Sequence, residues 1–202
     1  SDLIKNAHQR SAIPSPRRRR MPPSLLEETN DPWSEEGFRR LLTPEGVLRD
    51  ADLGWMEAQP HYVVFAQSPS IELAWTSLGH QAHRFFQAKL GLSVEKHYDS
   101  REGVDAARVI LAPNGDTPRV VTIATRPATD EDHANAREAE RLRGGGGLAL
   151  LAQRCPRVWL VHDEGRTSLL LTAILASVTL GPILTPTRDE ILGVKSARAR
   201  LE

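Results

Sequence analysis

Apolar residues before position 90 form one short run followed by a longer helical pattern. Tyr62-Val63-Val64-Phe65 has the length and composition typical of a strand. After Ser68 and Ser70, either of which can cap a helix, apolar side chains recur at spacings of three and four. The members of this stripe are Ile71, Trp75, Leu78, Ala82, Phe85 and Phe86. The pattern predicts a strand that begins near His61 and an amphipathic helix that ends near Phe86.

The middle of the chain predicts a β-hairpin. Ala107–Ala112 and Arg119–Thr125 are runs of strand type, and the segment 113–118 between them has a proline at each end. The Asn114-Gly115 pair in this segment supplies the positive φ angles that a tight turn requires. Val94–Tyr98, just before the hairpin, is either a brief strand or a loop.

Three further elements follow the hairpin. Thr129 is placed to cap a helix with an acidic first turn, which we expect to run to about Arg154 with an interruption at Gly144–Gly147. Arg157–His162 is predicted as a strand. Thr167–Leu180 is predicted as a long apolar helix that a Gly-Pro pair ends.

The order of these elements indicates an α/β (or α+β) core. We expect a single mixed sheet of four to five strands flanked by helices, with an apolar helix near the C-terminus. If Val94–Tyr98 is a loop, the core has the ferredoxin-like order βαββαβ. If it is a strand, the order becomes helix, three strands, helix and strand.

The second of these orders, helix, three strands, helix and strand, can be tested against the residues at specific positions of the hairpin strands. Asp105 immediately precedes the first hairpin strand, and the second carries Ile123-Ala124-Thr125-Arg126. Over residues 70–162 this arrangement resembles the restriction-endonuclease-like, or PD-(D/E)XK, fold, by topology more than by motif. The resemblance implies a divalent-metal site that needs an acidic residue two positions before a lysine. Ala124 and Arg126 occupy those positions, so the resemblance implies a catalytically degenerate relative that lacks an oxygen ligand.

Charge and proline content divide the chain into segments. Residues 1–23 contain four prolines and no apolar period, which predicts a disordered basic arm. We expect a short helical lead-in at 24–59, the α/β core at 60–195 and a polar tail at 196–202. The whole chain has a formal net charge of +0, but the arm holds six basic side chains against one acidic, which makes it +5. The remaining 20 basic and 25 acidic side chains leave −5 on the body.

The arm contains four consecutive arginines: Arg17, Arg18, Arg19 and Arg20. Adjacent cations repel one another unless a partner neutralises them. We therefore expect this run to contact an acidic protein surface or, as an alternative, the phosphate backbone of a nucleic acid.

Several features indicate the compartment. Cys155 is the only cysteine, so an internal disulfide is excluded, and a reducing compartment suits the chain. The arginine run is not followed by the apolar stretch of an export signal. The apolar segment Ser168–Leu184 is shorter than the about 20 residues that span a bilayer. We expect a cytoplasmic protein with no membrane span and no cofactor.

The best candidates for chemistry are His162, Asp163 and Glu164, which follow one another where a strand ends. Arg126 is a further candidate through the resemblance. An acidic turn before a glycine is the simpler interpretation of the triplet, because such residues favour turns. No second acidic cluster in the sequence clearly supplies further ligands for a metal ion held by Asp163 and Glu164, so we expect no metal site.

Two other patterns suggest chemistry. Gly144–Gly147 precedes a helix and could present amides to a phosphate, but it neither follows a strand nor ends in Gly-Lys-Ser/Thr. Cys155 or Ser168 could act as a nucleophile with His162, but no nucleophile-elbow pattern surrounds them. We expect structural roles for these residues.

These observations favour a non-enzymatic binding or assembly subunit whose basic arm and α/β core contact a protein partner, which includes a second copy of the same chain. One alternative is a nucleic-acid-associated protein that binds through the arm. The other is an enzyme of unrecognised type that uses the His162–Glu164 turn.

Overall fold

The structure is a computed structural model that describes residues 57–70, 75–94, 105–113 and 116–202. The predicted arm at 1–23 and almost all of the predicted lead-in at 24–59 lie outside these residues. The elements within them are β1 (His61–Ala66), α1 (Trp75–Phe86), β2 (Ala88–Val94), β3 (Asp105–Pro113), β4 (Arg119–Pro127), α2 (Asp130–Arg143), α3 (Leu148–Gln153), β5 (Arg157–His162), α4 (Arg166–Thr179), β6 (Ile183–Leu184), β7 (Ile191–Leu192) and α5 (Val194–Ala199).

The protein is an α/β structure with one antiparallel sheet flanked by helices. The seven described strands have the order β2-β3-β4-β5-β1-β6-β7, and every neighbouring pair is antiparallel. The prediction of a mixed sheet with four to five strands is therefore wrong in strand count and in strand direction. A single crossover helix would join two parallel strands. Here two helices, α2 and α3, connect β4 to β5, which begins at the edge of the sheet where β4 ends and runs antiparallel to it.

The strand after α1 comes earlier than expected. The structure places β2 at Ala88–Val94, directly after the helix, while residues 95–104 lie outside the described part of the chain. Of the segment Val94–Tyr98 only Val94 is described, as the last residue of β2, and with β2 between the helix and the hairpin the described elements do not have the order βαββαβ. The order helix, three strands, helix and strand is present, with α2 and α3 in place of one helix, and the fold type within the α/β class stays a prediction.

The predicted hairpin is confirmed. Strands β3 and β4 pair antiparallel, with Ala107 opposite Ile123 and Leu111 opposite Arg119. The predicted cap is confirmed as well, because the Thr129 hydroxyl accepts a hydrogen bond from the Asp132 amide at 3.2 Å. Asp132 completes a capping box by accepting from the Thr129 amide at 2.8 Å.

Successive side chains of the central strands lie on opposite faces of the sheet, so a hydrophobic core forms on each face. On β1, Val64 and Ala66 lie in a core with α1, α4 and α5, whereas Val63 and Phe65 lie in a second core with α2 and α3. The first core is built mainly from leucine, isoleucine and valine, and the α4 residues from Leu170 to Ala176 are all buried in it or beside it. The sheet is thus covered by helices on both faces.

The C-terminal elements were not predicted. Strands β6 and β7 have two residues each, too few to show an alternation, yet they extend the sheet beyond β1. Residues 196–202, expected as a polar tail, include part of α5, and Ala197 there is fully buried. Helix α4 lies within one residue of its predicted bounds. Among the described residues no helix has the combined length and apolarity needed to cross a membrane.

Candidate functional site

A cavity of about 430 Å³ lies between α3, the end of α4 and the start of α5. Its aliphatic wall consists of Leu148, Leu151, Leu180, Pro182 and Val194, which we call the apolar surface. The other lining residues are Ala176, Ser177, Gly181 and Gly193, so none of the described residues around the cavity is charged. The Leu180 side chain is 62% exposed at this site.

The backbone corner beside Leu180 is held tightly against β1. The Phe65 amide donates to the Pro182 carbonyl at 3.0 Å, and the Gln67 side-chain amide donates to the Leu180 carbonyl at 2.5 Å. A Cβ atom on Gly181 would lie 1.9 Å from the Phe65 carbonyl oxygen, so only glycine permits this approach. The corner therefore presents Leu180 from a fixed position.

Leu180 itself has an unusual backbone conformation. It follows the last residue of α4 with φ of 58° and ψ of 30°, the left-handed region, which costs a residue with a Cβ roughly 1–2 kcal/mol. Glycine or asparagine is the usual residue at such a position. An exposed leucine here contributes little to the core, so its residue type suits contact with another molecule.

The predicted His162-Asp163-Glu164 site is a turn that leads into α4. The Asp163 carboxylate accepts from the Gly165 amide at 3.1 Å, and the Ser168 hydroxyl accepts from the Glu164 amide at 2.8 Å. His162 Nδ1 lies 3.4 Å from a Glu164 carboxylate oxygen. These contacts close the turn before α4, which is the structural interpretation of the triplet.

Arg126 lies far from that turn in sequence and joins β4 to α2. Its guanidinium donates to both carboxylate oxygens of Asp132, at 2.5 and 2.9 Å, and to the Glu57 carboxylate. Both members of the Arg126–Asp132 pair are largely buried, and the guanidinium holds the pKa of Asp132 below its usual value despite burial. The partners of Arg126 account for its position without a ligand.

Ala124, one of the positions that carry the nuclease resemblance, offers no ligand to a metal ion. Ala124 lies opposite Ala106 on β3 and is fully buried in the second core. In the described part of the chain, no three His, Cys, Asp or Glu side chains are grouped as a metal ion would require. His80 and His83 are exposed on α1.

The glycine run is a break between helices. Gly144, Gly146 and Gly147 all have positive φ, so the segment is not the continuation of a helix. The amides of Gly147 and Ala149 donate to the Glu140 carboxylate, at 2.8 and 3.3 Å. A phosphate would have to compete with this carboxylate for the start of α3, which argues against the phosphate hypothesis.

Cys155 is buried next to α3, where its thiol donates to the Leu151 carbonyl at 3.3 Å. Burial raises the pKa of this thiol to about 11, so it stays protonated at neutral pH and is a poor nucleophile. His162 lies at the other end of β5, so the two residues do not form a nucleophile–base pair.

His61 was not singled out by sequence, and only its surroundings make it notable. Its Nδ1 lies 2.7 Å from the Gln59 carbonyl, which can only accept, so the proton is on Nδ1. The Arg188 guanidinium donates to Nε2 at 2.7 Å and to the His61 carbonyl at 2.7 Å. The imidazole is thus held neutral between a carbonyl and a cation.

The predicted partner contact at Arg17, Arg18, Arg19 and Arg20 lies outside the described residues. Comparison of the chain with protein-family models, curated proteins and solved structures found no match. The apolar surface is therefore the candidate site that the geometry itself supports.

Proposed function

We propose that the protein is a non-enzymatic binding or assembly subunit, in which the sheet is a scaffold and the apolar surface receives an aliphatic side chain from a partner protein. The observation that carries this proposal is the exposed Leu180 at a cavity of about 430 Å³ where none of the described lining residues is charged. Interfaces draw much of their binding energy from a few residues packed in well-desolvated pockets.

The chemistry of the cavity favours a protein over an ionic ligand. Its aliphatic wall offers no cation or carboxylate to an ion, whereas burial of one leucine-sized side chain contributes about 1.5–3 kcal/mol. The tightly held corner at Gly181 and Pro182 lowers the backbone entropy lost on binding, because the Leu180 backbone is held in place before the partner arrives.

The basic arm is the second contact in this proposal. Its formal charge of +5 suits an acidic surface of the partner, while the apolar surface provides shape-specific packing. Salt weakens the charged contact made by the arm, whereas it does not screen the apolar contact. A complex held by both would lose affinity only partly as the ionic strength rises.

The test uses two leucine variants in the full chain. Leu180→Asn removes the aliphatic group but suits the left-handed backbone, so it should leave the fold as stable as before or slightly more stable. Leu142→Asn is the matched control, because Leu142 is 52% exposed on α2 and does not line the cavity. Each chain is purified from its native cell, and its mass and bound molecules are measured at low and high salt.

We expect a stoichiometric protein partner, or a second copy of the chain, with the unmodified protein and with Leu142→Asn, and a clear loss with Leu180→Asn. A chain that is monomeric and alone in every preparation refutes the proposed function. Retention of the same partner by Leu180→Asn refutes the role of the apolar surface.

Removal of residues 1–23 tests the arm and the alternative functions. Suppose that the full chain binds a nucleic acid, that this binding weakens steeply as the salt concentration rises, and that the truncated chain does not bind it. The nucleic-acid alternative then replaces the protein partner. Turnover of a substrate that disappears in Asp163→Ala, with the fold intact, would favour the enzyme alternative at the His162–Glu164 turn.

A further inference from the structure

A second cleft, on the face of the sheet that carries α1, α4 and α5, has a different character from the apolar surface. It encloses about 410 Å³. Three separate helices each supply one arginine to it: Arg84 from α1, Arg166 from α4 and Arg198 from α5. We call these three residues the arginine cleft.

Within the described part of the chain, none of the three guanidiniums forms an ion pair. Asp116 and Glu202 also line the cleft, but among the described residues no carboxylate forms an ion pair with any of its arginines. Other arginines of the body do have such partners: Arg126, Arg141, Arg143 and Arg200. The three arginines thus outnumber the two carboxylate side chains that line the cleft, and none of the three is paired with a carboxylate of the described residues.

Aromatic rings and a carbonyl hold the guanidiniums in place. The Arg84 guanidinium lies over the Phe85 ring at 5.1 Å from its centroid, and that of Arg198 lies 5.9 Å from the Phe86 centroid. Arg166 donates to the Leu201 carbonyl. Because α4 begins at Arg166, the positive end of its dipole adds to the field in the cleft.

We propose that the arginine cleft binds a phosphorylated small molecule. Planar guanidiniums match the oxygen geometry of phosphate and can bind it through paired hydrogen bonds. The enclosed volume lies in the range of small-molecule sites. A phosphate dianion that enters the cleft would supply a counterion to three arginines that have no ion pair among the described residues. This site is independent of the partner-binding surface and does not rest on the proposed function.

Isothermal titration of the full chain with inorganic pyrophosphate tests the proposal. Arg166→Gln and Arg198→Gln each remove one cleft cation from an exposed position. Arg154→Gln is the matched control, since it removes the same charge from an exposed arginine at the end of α3, on the opposite face of the sheet. Thermal unfolding of each variant checks that the fold is intact. Titrations with AMP and with ribose 5-phosphate then distinguish a nucleotide from a sugar phosphate.

We expect saturable binding of pyrophosphate that weakens about tenfold or more in each cleft variant and is unchanged in Arg154→Gln. Two results overturn the proposal: no saturable binding of any of the three probes up to about 10 mM, or an equal loss in Arg154→Gln. If only a single-stranded oligonucleotide binds, and pyrophosphate does not, the cleft is a nucleic-acid contact and the small-molecule proposal is wrong.

Discussion

Acidification should destabilise the protein through His61. His61 is only 5% exposed, and burial, together with the nearby Arg188 and Arg126 guanidiniums, lowers its pKa from 6.5 to about 4. The hydrogen bond to the Gln59 carbonyl opposes the shift but does not cancel it. Protonation would add a hydrogen to Nε2, where Arg188 now donates, and so would break that hydrogen bond.

The direction of the effect follows from the two protonation equilibria. As the pH falls below 6.5 the unfolded chain takes up a proton on His61, whereas the folded protein does so only near pH 4. The unfolded state therefore binds more protons in this window, and the free energy of unfolding decreases as the pH falls through it. The pKa difference corresponds to a loss of about 3 kcal/mol, complete near pH 4.

The variant His61→Asn isolates this contribution. Asparagine can still donate to the Gln59 carbonyl but does not titrate, so the difference between the two proteins removes the effect of the many carboxylates that also titrate. Urea unfolding is followed by tryptophan fluorescence at steps from pH 7 to pH 4. The unmodified protein should lose about 3 kcal/mol more than the variant over this range. Parallel stability curves would refute the argument, and so would a gain in stability of the unmodified protein relative to the variant.

Three further predictions concern stability and are measured by urea unfolding at pH 7. Arg126→Ala should cost about 3–5 kcal/mol because it leaves a buried carboxylate without its cation; a cost below about 1 kcal/mol would show that the pair is dispensable. Gly181→Ala should cost about 1–3 kcal/mol or more, since the new Cβ would meet the Phe65 carbonyl at 1.9 Å. Gly79→Ala is its control, because open space surrounds that helical position and alanine should stabilise by up to about 1 kcal/mol; similar effects of the two substitutions would contradict the close approach. Thr129→Ala should cost about 1 kcal/mol through loss of the α2 cap, and an unchanged unfolding midpoint would mean that the cap adds nothing.

The candidate surfaces were hard to predict because their residues are distant in sequence. The apolar surface combines Leu148 of α3 with Leu180 and Val194, and the arginine cleft combines Arg84 with Arg166 and Arg198. No linear spacing connects such residues. The one local signal was the leucine before a Gly-Pro pair, where a helix usually ends in glycine or asparagine.

The site residues predicted from the sequence were instead candidates because of their chemical type. His162, Asp163, Glu164 and Arg126 all have side chains that can act as acids, bases or ion ligands, and the structure accounts for them through turn and ion-pair contacts. Residue type alone does not reveal whether a polar group already has a partner inside the protein. That information depends on which elements pack together.

Local patterns in the sequence are sufficient to predict much of the secondary structure of the core. The amphipathic helix α1, the hairpin β3–β4, the capped α2 and the strand β5 follow from side-chain period, turn residues and caps, all of which act within a few residues. The tertiary structure alone decided the strand order, the antiparallel direction of β5 and the addition of β6 and β7 at the edge beyond β1. These features depend on pairing between distant segments, where the free energy comes from burying both faces of the sheet, and a local pattern carries no information about which distant strand is its neighbour.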